Sequence, residues 1–276
     1  MITTEADVRD AREAHAAAAG RTGKRAYVRR IFSEIAPRYD LLNRLLSLGI
    51  DRSWRRAAVA RLGWERRADG VYLDLCAGTL DAAAALAGRP GFRGRVVAAD
   101  FAEPMLRAGR GKAASGALVP VAPVAPVAPV VPVAPVAPVV PVVPVVSDAL
   151  ALPLADGSCA GAIVAFGIRN VEDLDAALAE VLRVLEPGAR FVILEFSTPR
   201  LALVRALYLF YFHRVLPLIG RVVSGHPTAY RYLPESVRSF PEREELAARM
   251  RAAGYAKVGW EALTLGIAAI HVGERT

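Results

Sequence analysis

Strand and helix patterns that alternate between residues 71 and 196 predict an α/β fold, a mostly parallel sheet covered by helices on both faces. Two further observations complete it: helical spacing of apolar residues before position 62 adds a helical cap, and two apolar runs near the chain end add an antiparallel pair. At 276 residues the chain is long enough for one such domain with a lid and too short for two ordinary enzymes. A single domain over residues 25–276, with one active site, is expected.

Residues 1–24 are Ala-rich and charged without an apolar stripe, which predicts a disordered leader. From Tyr27 the apolar positions Val28, Ile31, Phe32 and Ile35 recur at helical spacing. Pro37 then breaks the helix, and Leu41 to Leu48 and Trp54 to Leu62 supply two more, so residues 25–62 form the cap. The alternation follows: a strand at Val71 to Leu75, a helix through Ala82 to Ala87, a strand at Arg95 to Ala99 and a helix from Glu103 to Lys112. A strand at Ala162 to Phe166, a helix at Leu174 to Leu185 and a strand at Phe191 to Phe196 continue it. The chain closes with a helix at Arg243 to Ala253 and the apolar runs Ala256 to Ala262 and Gly266 to Val272.

Residues 119–146 break the pattern, because Pro stands at every third position from 120 to 144. That period matches the three residues per turn of polyproline II, so the tract reads as an extended excursion with only its Val145 and Val146 end joining the sheet. Loops lengthen at small entropic cost, and a lengthened surface loop without chemistry is the reading preferred over a docking rod.

Thirty-five Lys and Arg against 27 Asp and Glu give a net charge of +8, with Arg concentrated near the N-terminus and from Leu201 to Arg221. This suits an anionic membrane surface or nucleic acid, although an Arg-rich genome would give the same excess. Cys76 and Cys159 stand far apart without a CxxC, so neither a disulfide framework nor a metal site is indicated, and a cytoplasmic setting is expected. The first twenty residues carry carboxylates where a signal peptide needs a basic region, so no export signal is expected.

The run Asp74-Leu75-Cys76-Ala77-Gly78-Thr79-Leu80-Asp81 puts a tight turn at the carboxyl end of the first strand, where open α/β sheets bind ligands. Gly78 is its one glycine, so the G-x-G-x-x-G of a nicotinamide-dependent oxidoreductase is missing. Asp100, 26 positions after Asp74 at the end of the second strand, can accept hydrogen bonds from ribose hydroxyls and suits NAD or S-adenosylmethionine equally.

Further motifs separate the two. Arg38-Tyr39-Asp40, Ser47-Leu48-Gly49-Ile50-Asp51-Arg52 with Trp54-Arg55-Arg56, and Asp100-Phe101 with Pro104-Met105-Leu106 lie in the first half. Phe166-Gly167-Ile168-Arg169-Asn170, Leu194-Glu195-Phe196-Ser197 and Tyr230-Arg231-Tyr232-Leu233 with Glu235-Ser236 lie in the second. Together the sequence closely resembles the menaquinone and ubiquinone biosynthesis C-methyltransferases, from about Tyr27 to Gly273 apart from the proline tract.

That resemblance implies a class I methyltransferase, Rossmann-like, with a seven-stranded sheet whose last strand is antiparallel. It implies S-adenosylmethionine as cofactor, bound by Asp74, Gly78, Thr79 and Ala165, with Asp100 and Phe101 at the ribose and Asp148 and the Ala149 backbone at the adenine edge. Arg169 and Asn170 would face the methyl acceptor, Arg169 stabilising an oxyanion, with a structural ion pair as its competing reading. Tyr39 and Tyr230 would orient the ring, and Asp40 and His213 are candidate bases. Residues 197–240 form the substrate lid. Its apolar stretch is broken by Arg205, His213, Arg214 and Arg221, which argues for a helix accepting a prenyl tail and not for a membrane span. The expected reaction is methylation of demethylmenaquinol to menaquinol by a cytoplasmic enzyme in peripheral contact with the inner leaflet. A nucleic-acid partner is not expected, and a homodimer is left open. A polyprenyl benzoquinol substrate and a non-catalytic, lipid-binding scaffold are the alternatives.

Two positions depart from the family. Leu80 stands where the family has Gly, and if the turn keeps its geometry a left-handed Leu costs about 1–2 kcal/mol, so Gly there is expected to tighten cofactor binding. Gly161 replaces a usual Asp, with little effect expected.

Overall fold

Helix α1 (Lys24–Ile35) buries Tyr27, Val28, Ile31 and Ile35, the stripe that its spacing predicts, against Tyr232. The computed structural model describes residues 23–47, 49–112, 119–120, 141–211, 214 and 227–276. The leader lies outside these except at its end, where Lys24 already belongs to α1 and is 8% exposed. Pro37 falls in a 3₁₀ turn, Ala36–Arg38, that redirects the chain into α2 (Tyr39–Ser47) and then α3 (Asp51–Arg61).

The central sheet contains β1 (Val71–Leu75), β2 (Arg95–Asp100), β3 (Val119–Pro120), β4 (Val142–Val146), β5 (Cys159–Ala165), β6 (Leu185–Phe196), β7 (Ala256–Leu263) and β8 (Ala268–Glu274). Their order is β3-β4-β2-β1-β5-β6-β8-β7. The strands from β3 to β6 pair in parallel, and the final strand β8 runs antiparallel to both β6 and β7. This is the expected seven-stranded sheet, with β3 as a two-residue addition at its edge.

The tract was expected to join the sheet at Val145 and Val146 alone, but pairing with β2 begins at Val142 and includes Pro144. The hydrogen bonds explain why proline is tolerated. Pro141 O accepts from Val96 N, and Ser147 N donates to Asp100 O, so odd-numbered positions of β4 face β2. Pro144 therefore turns its missing N–H toward the outer edge.

Helices α4 (Asp81–Ala87), α5 (Glu103–Gly109) and α6 (Leu174–Val184) connect the parallel strands, and α9 (Arg243–Ala252) precedes β7. Strand β1 alternates between two cores: Tyr72 packs with Trp54, Val59 and Leu86 on one face, while Leu73 and Leu75 pack with Leu178 and Val181 on the other. At Gly161 a Cβ would come within 2.9 Å of the Tyr72 ring, so the departure from Asp makes room for this buried aromatic. The remaining described helices, α7 (Ala202–Phe210) and α8 (Pro227–Ser239), belong to the expected lid.

Candidate active site

Because β4, β2, β1 and β5 are adjacent and parallel, the loops after them converge on one cleft of about 950 Å³. Asp74, Gly78, Thr79, Asp100, Phe101, Asp148, Ala149 and Ala165 all line it, as do Tyr39 and Asn170. Asp100 is fixed by two backbone donors, Gly78 N to Oδ2 and Ala102 N to Oδ1, both at 2.8 Å. Each oxygen retains a lone pair for a ligand. Burial pushes its carboxyl up to about 6, against the pull of those N–H groups. Asp74 reaches across to accept from Ala83 N at 2.8 Å, capping the first turn of α4. Burial raises it to about 7, and the Ala83 N–H and the Arg55 charge offset only part of that. Asp148 pairs with Arg25 of α1 at 2.9 Å.

The turn between β1 and α4 is strained. Cys76, Gly78 and Leu80 have φ of 51°, 52° and 66°, and Phe166 across the cleft has 63°. For the non-glycine residues this left-handed backbone is costly, and its concentration around one cleft marks a functional site. Leu80 thus keeps the geometry expected of a glycine. Its side chain is fully buried in the core, away from the cleft lining. Gly109 of α5 makes this possible: a Cβ there would lie 2.5 Å from the Thr79 carbonyl carbon and 2.8 Å from Leu80 Cγ. Lys112 braces the turn from outside, with Nζ 2.9 Å from Thr79 Oγ1 and 2.7 Å from both Asp40 and Asp81.

A second cavity of about 1730 Å³ adjoins the first. Its lining is mostly apolar, including Ile31, Ile35, Trp54, Phe196, Leu207 and Ile267, and it shares Phe32, Tyr39, Arg55 and Phe166 with the cofactor cleft. Arg169 faces it from the turn after β5. Its Nη1 donates to Phe166 O and to both oxygens of Glu195, at 3.0 and 2.9 Å, with the two side chains 6% and 2% exposed. Burial opposes the Arg169 charge, yet Glu195 and the nearby tyrosines raise its pKa overall. The ion pair read as an alternative for Arg169 therefore exists, in the wall of the cavity. Arg169 Nε, Asn170 Oδ1, Ser147 Oγ and Tyr232 OH are buried without a partner among the described residues.

The profile of the ubiE/COQ5 methyltransferase family matches residues 21–135 and 136–275. The chain belongs to that family. Curated members include a demethylmenaquinone methyltransferase of Thermus thermophilus, 48% identical over 89% of this chain and 100% of its own length. A ubiquinone/menaquinone biosynthesis C-methyltransferase of Geobacter sulfurreducens is 43% identical over 92% of this chain and 90% of its own. A demethylmenaquinone methyltransferase of Deinococcus radiodurans is also 43% identical, over 90% and 92%. Among solved structures, a SAM-dependent methyltransferase of Thermotoga maritima superposes with a TM-score of 0.52 at 17% identity, covering 90% of this chain and 99% of its own. The [4+2]-cyclase SpnF superposes with 0.53 at 15%, covering 83% and 81%. Such likeness shows the fold, and the cyclase illustrates that the fold alone does not fix the chemistry.

As a member of this family the chain is an S-adenosylmethionine-dependent methyltransferase. The cleft suits that cofactor: a buried carboxylate with free lone pairs stands where ribose hydroxyls need acceptors, and the Ser147 hydroxyl and Asn170 amide oxygen await partners. Not every candidate gathers there. Asp40 is engaged by Thr79 Oγ1 at 2.6 Å and by Lys112, and it lines neither cavity. His213 and the Tyr230 side chain lie outside what the structure describes. Sequence reasoning missed Arg55, Glu195 and Tyr232 as site residues, although each stands inside a quoted motif. Arg55 is one of four arginines on α3 and looks like a solvated charge until the packing is known.

Proposed function

We propose that this enzyme methylates a ring carbon of a prenylated quinol, converting demethylmenaquinol to menaquinol. The observation that carries the reading is the junction of a cleft lined by the carboxylates Asp74, Asp100 and Asp148 with a larger, mostly apolar cavity through four shared side chains. A hydrophobic ring and the start of an isoprenoid chain fit such a cavity, and the names of the Thermus and Deinococcus relatives favour the naphthoquinol over a benzoquinol.

S-adenosylmethionine supplies an electrophilic methyl group on a sulfonium. Transfer to carbon needs an in-line approach, so the chain's task is alignment within near-attack distance. Asp100 holds the ribose and Asp148 with Ala149 frames the adenine, which fixes the cofactor at the junction. Tyr39, on both linings, orients the ring, and Arg169 meets a polar group of the acceptor from the larger cavity, whereas Asn170, expected beside it, lines the cofactor cleft instead.

The exposed apolar face of α7, a helix that also lines the apolar cavity through Val204 and Leu207, supports peripheral contact with the inner leaflet. No described helix is long and apolar enough to cross a membrane. Helix α7 nonetheless exposes Leu203 and Phe210 at 74% and 62%, with Leu201 and Leu265 exposed nearby, and Arg200 and Arg205 flank them. Such a surface suits lateral entry of a lipid substrate from an anionic bilayer. Incubating the purified enzyme with demethylmenaquinol or a polyprenyl benzoquinol tests the substrate. Faster turnover of the naphthoquinol is expected. Preference for the benzoquinol would overturn the choice of ring, and absence of transfer to either would favour a scaffold.

A further inference from the structure

The methyl group must pass where the two cavities meet, and of the four residues common to both linings, Phe32, Tyr39, Arg55 and Phe166, Arg55 alone carries a full charge. We propose that Arg55 is a catalytic residue whose guanidinium binds the ring oxygen beside the accepting carbon and stabilises it as a phenolate. The proposal rests on the quinol reading above.

Its orientation is built in. Arg55 is 7% exposed on α3, and Nη1 donates to Asp51 Oδ2 one turn earlier. Asp51 Oδ1 in turn accepts from Ser47 Oγ at 2.6 Å, which fixes the carboxylate. The bond to Asp51 is the one hydrogen bond Arg55 makes among the described residues, so Nε and Nη2 stay available to a ligand. The guanidinium carbon stands 5.2 Å from the centroid of Phe166, itself part of the boundary. Burial raises the pKa of both Tyr39 on α2 and Asp74 on β1, and the Arg55 charge, felt on both sides, offsets part of each rise.

Arg169 is placed differently. It lines the acceptor cavity only, and its Nη1 is committed to Glu195 and Phe166 O. A quinol has two oxygens para to one another, and this geometry gives Arg169 the distal one and Arg55 the one that ionises.

Atoms and charges balance without a further reactant. The hydroxyl beside the accepting carbon gives its proton to water, and the phenolate pushes a ring electron pair into the new carbon–methyl bond. The sulfur–methyl electrons stay on sulfur as S-adenosylhomocysteine leaves. The ring carbon then loses its hydrogen as a proton, restoring aromaticity, and the oxygen regains one, so one proton is released per turnover. A cation fixed at the oxygen favours the charge that develops before and during attack.

The test uses 1-naphthol, whose ionisation is visible in its absorbance, bound to the full-length enzyme without cofactor. Tyr39, Cys76, Asp74, Asp81 and Asp100 on the cleft side and Asp51, Arg169, Tyr208 and Tyr232 on the other are among the further ionisable groups lining the two cavities, so the titration is repeated in a Tyr39→Phe background to remove the competing hydroxyl at the boundary itself. Wild type is expected to lower the apparent pKa of bound naphthol relative to free naphthol, Arg55→Gln to abolish that shift, and Arg55→Lys to keep part of it. With demethylmenaquinol and saturating S-adenosylmethionine, Arg55→Gln is expected to lower kcat by roughly 100-fold. Equal naphthol ionisation in wild type and Arg55→Gln would overturn the proposal. If Arg55→Gln fails to fold, Arg55→Lys decides, since complete loss of the shift or full wild-type kcat would each overturn it. Failure of wild type to bind naphthol at all would instead sink the quinol reading on which it rests.

Discussion

Leu80 sets two energies against each other. Its left-handed backbone costs about 1–2 kcal/mol, which glycine would relieve, but its side chain is fully buried and deleting it forfeits about 2–5 kcal/mol of packing. Packing is the larger, so Leu80→Gly is expected to destabilise the protein by about 1–3 kcal/mol, read as a lower urea midpoint. A raised midpoint would show that strain dominates. The sequence told where this residue sits and what angle it would adopt, but not that the side chain turns inward, because only the packing against Gly109 reveals that. The place of Asp100 in the cleft was legible because a carboxylate ending the second strand of such a sheet points to the strand-end crevice where ligands bind. Its titration gives a second expectation. Asp100 and Asp74 are raised from 3.8 to about 6 and about 7, so their contribution to the stability of the cofactor-free protein is fully present below about pH 4 and lost as pH rises through 6 to 7. Cofactor that needs an ionised Asp100 should therefore bind better on the alkaline side. The increase in Tm with S-adenosylmethionine is expected to be larger at pH 8 than at pH 5.5, and Asp100→Asn to abolish it at both. A pH-independent increase would contradict the role given to Asp100.

At the scale of elements, the proline tract shows how composition can hide a strand. A three-residue period argued for polyproline, yet the valines between the prolines supply β propensity, and the alternation of hydrogen-bonding sides lets Pro144 face away from β2. Pairing of Pro120 with Val146 places the two ends of the tract about 17 Å apart, five residues at about 3.3 Å each. A flexible linker of about ten Gly and Ser residues has that span. Replacing residues 121–140 with such a linker is expected to leave turnover and Tm unchanged, and a large loss of turnover in a folded variant would give the tract a docking role. The lid makes a separate expectation. Leu203→Asp with Phe210→Asp, on the exposed face of α7 and outside the cavity lining, is expected to reduce sedimentation with phosphatidylglycerol vesicles several-fold while sparing transfer to a short-chain quinol. Unchanged sedimentation would remove α7 from the membrane contact.

For the whole molecule, the order of the strands brings four loop ends together, and the helical cap closes over them so that a carboxylate-bearing cleft and a larger apolar cavity share a wall. The sheet, its antiparallel end and most of the residues expected to hold the cofactor could be read from local patterns, since each lies at or just beyond the carboxyl end of a strand. The acceptor side could not, because it is assembled from α1, α2, α3, the ends of β5 and β6, and α7 and α8, which meet only in three dimensions. On the proposed function, methyl passes from one of these cavities to a quinol ring carbon in the other. Mass spectrometry of demethylmenaquinol incubated with the purified enzyme and S-adenosylmethionine bearing a trideuterated methyl group tests it most directly. The expected product carries the intact trideuteromethyl group on the ring carbon beside a hydroxyl. Label found on oxygen, or no label transferred while S-adenosylmethionine is bound, would contradict it.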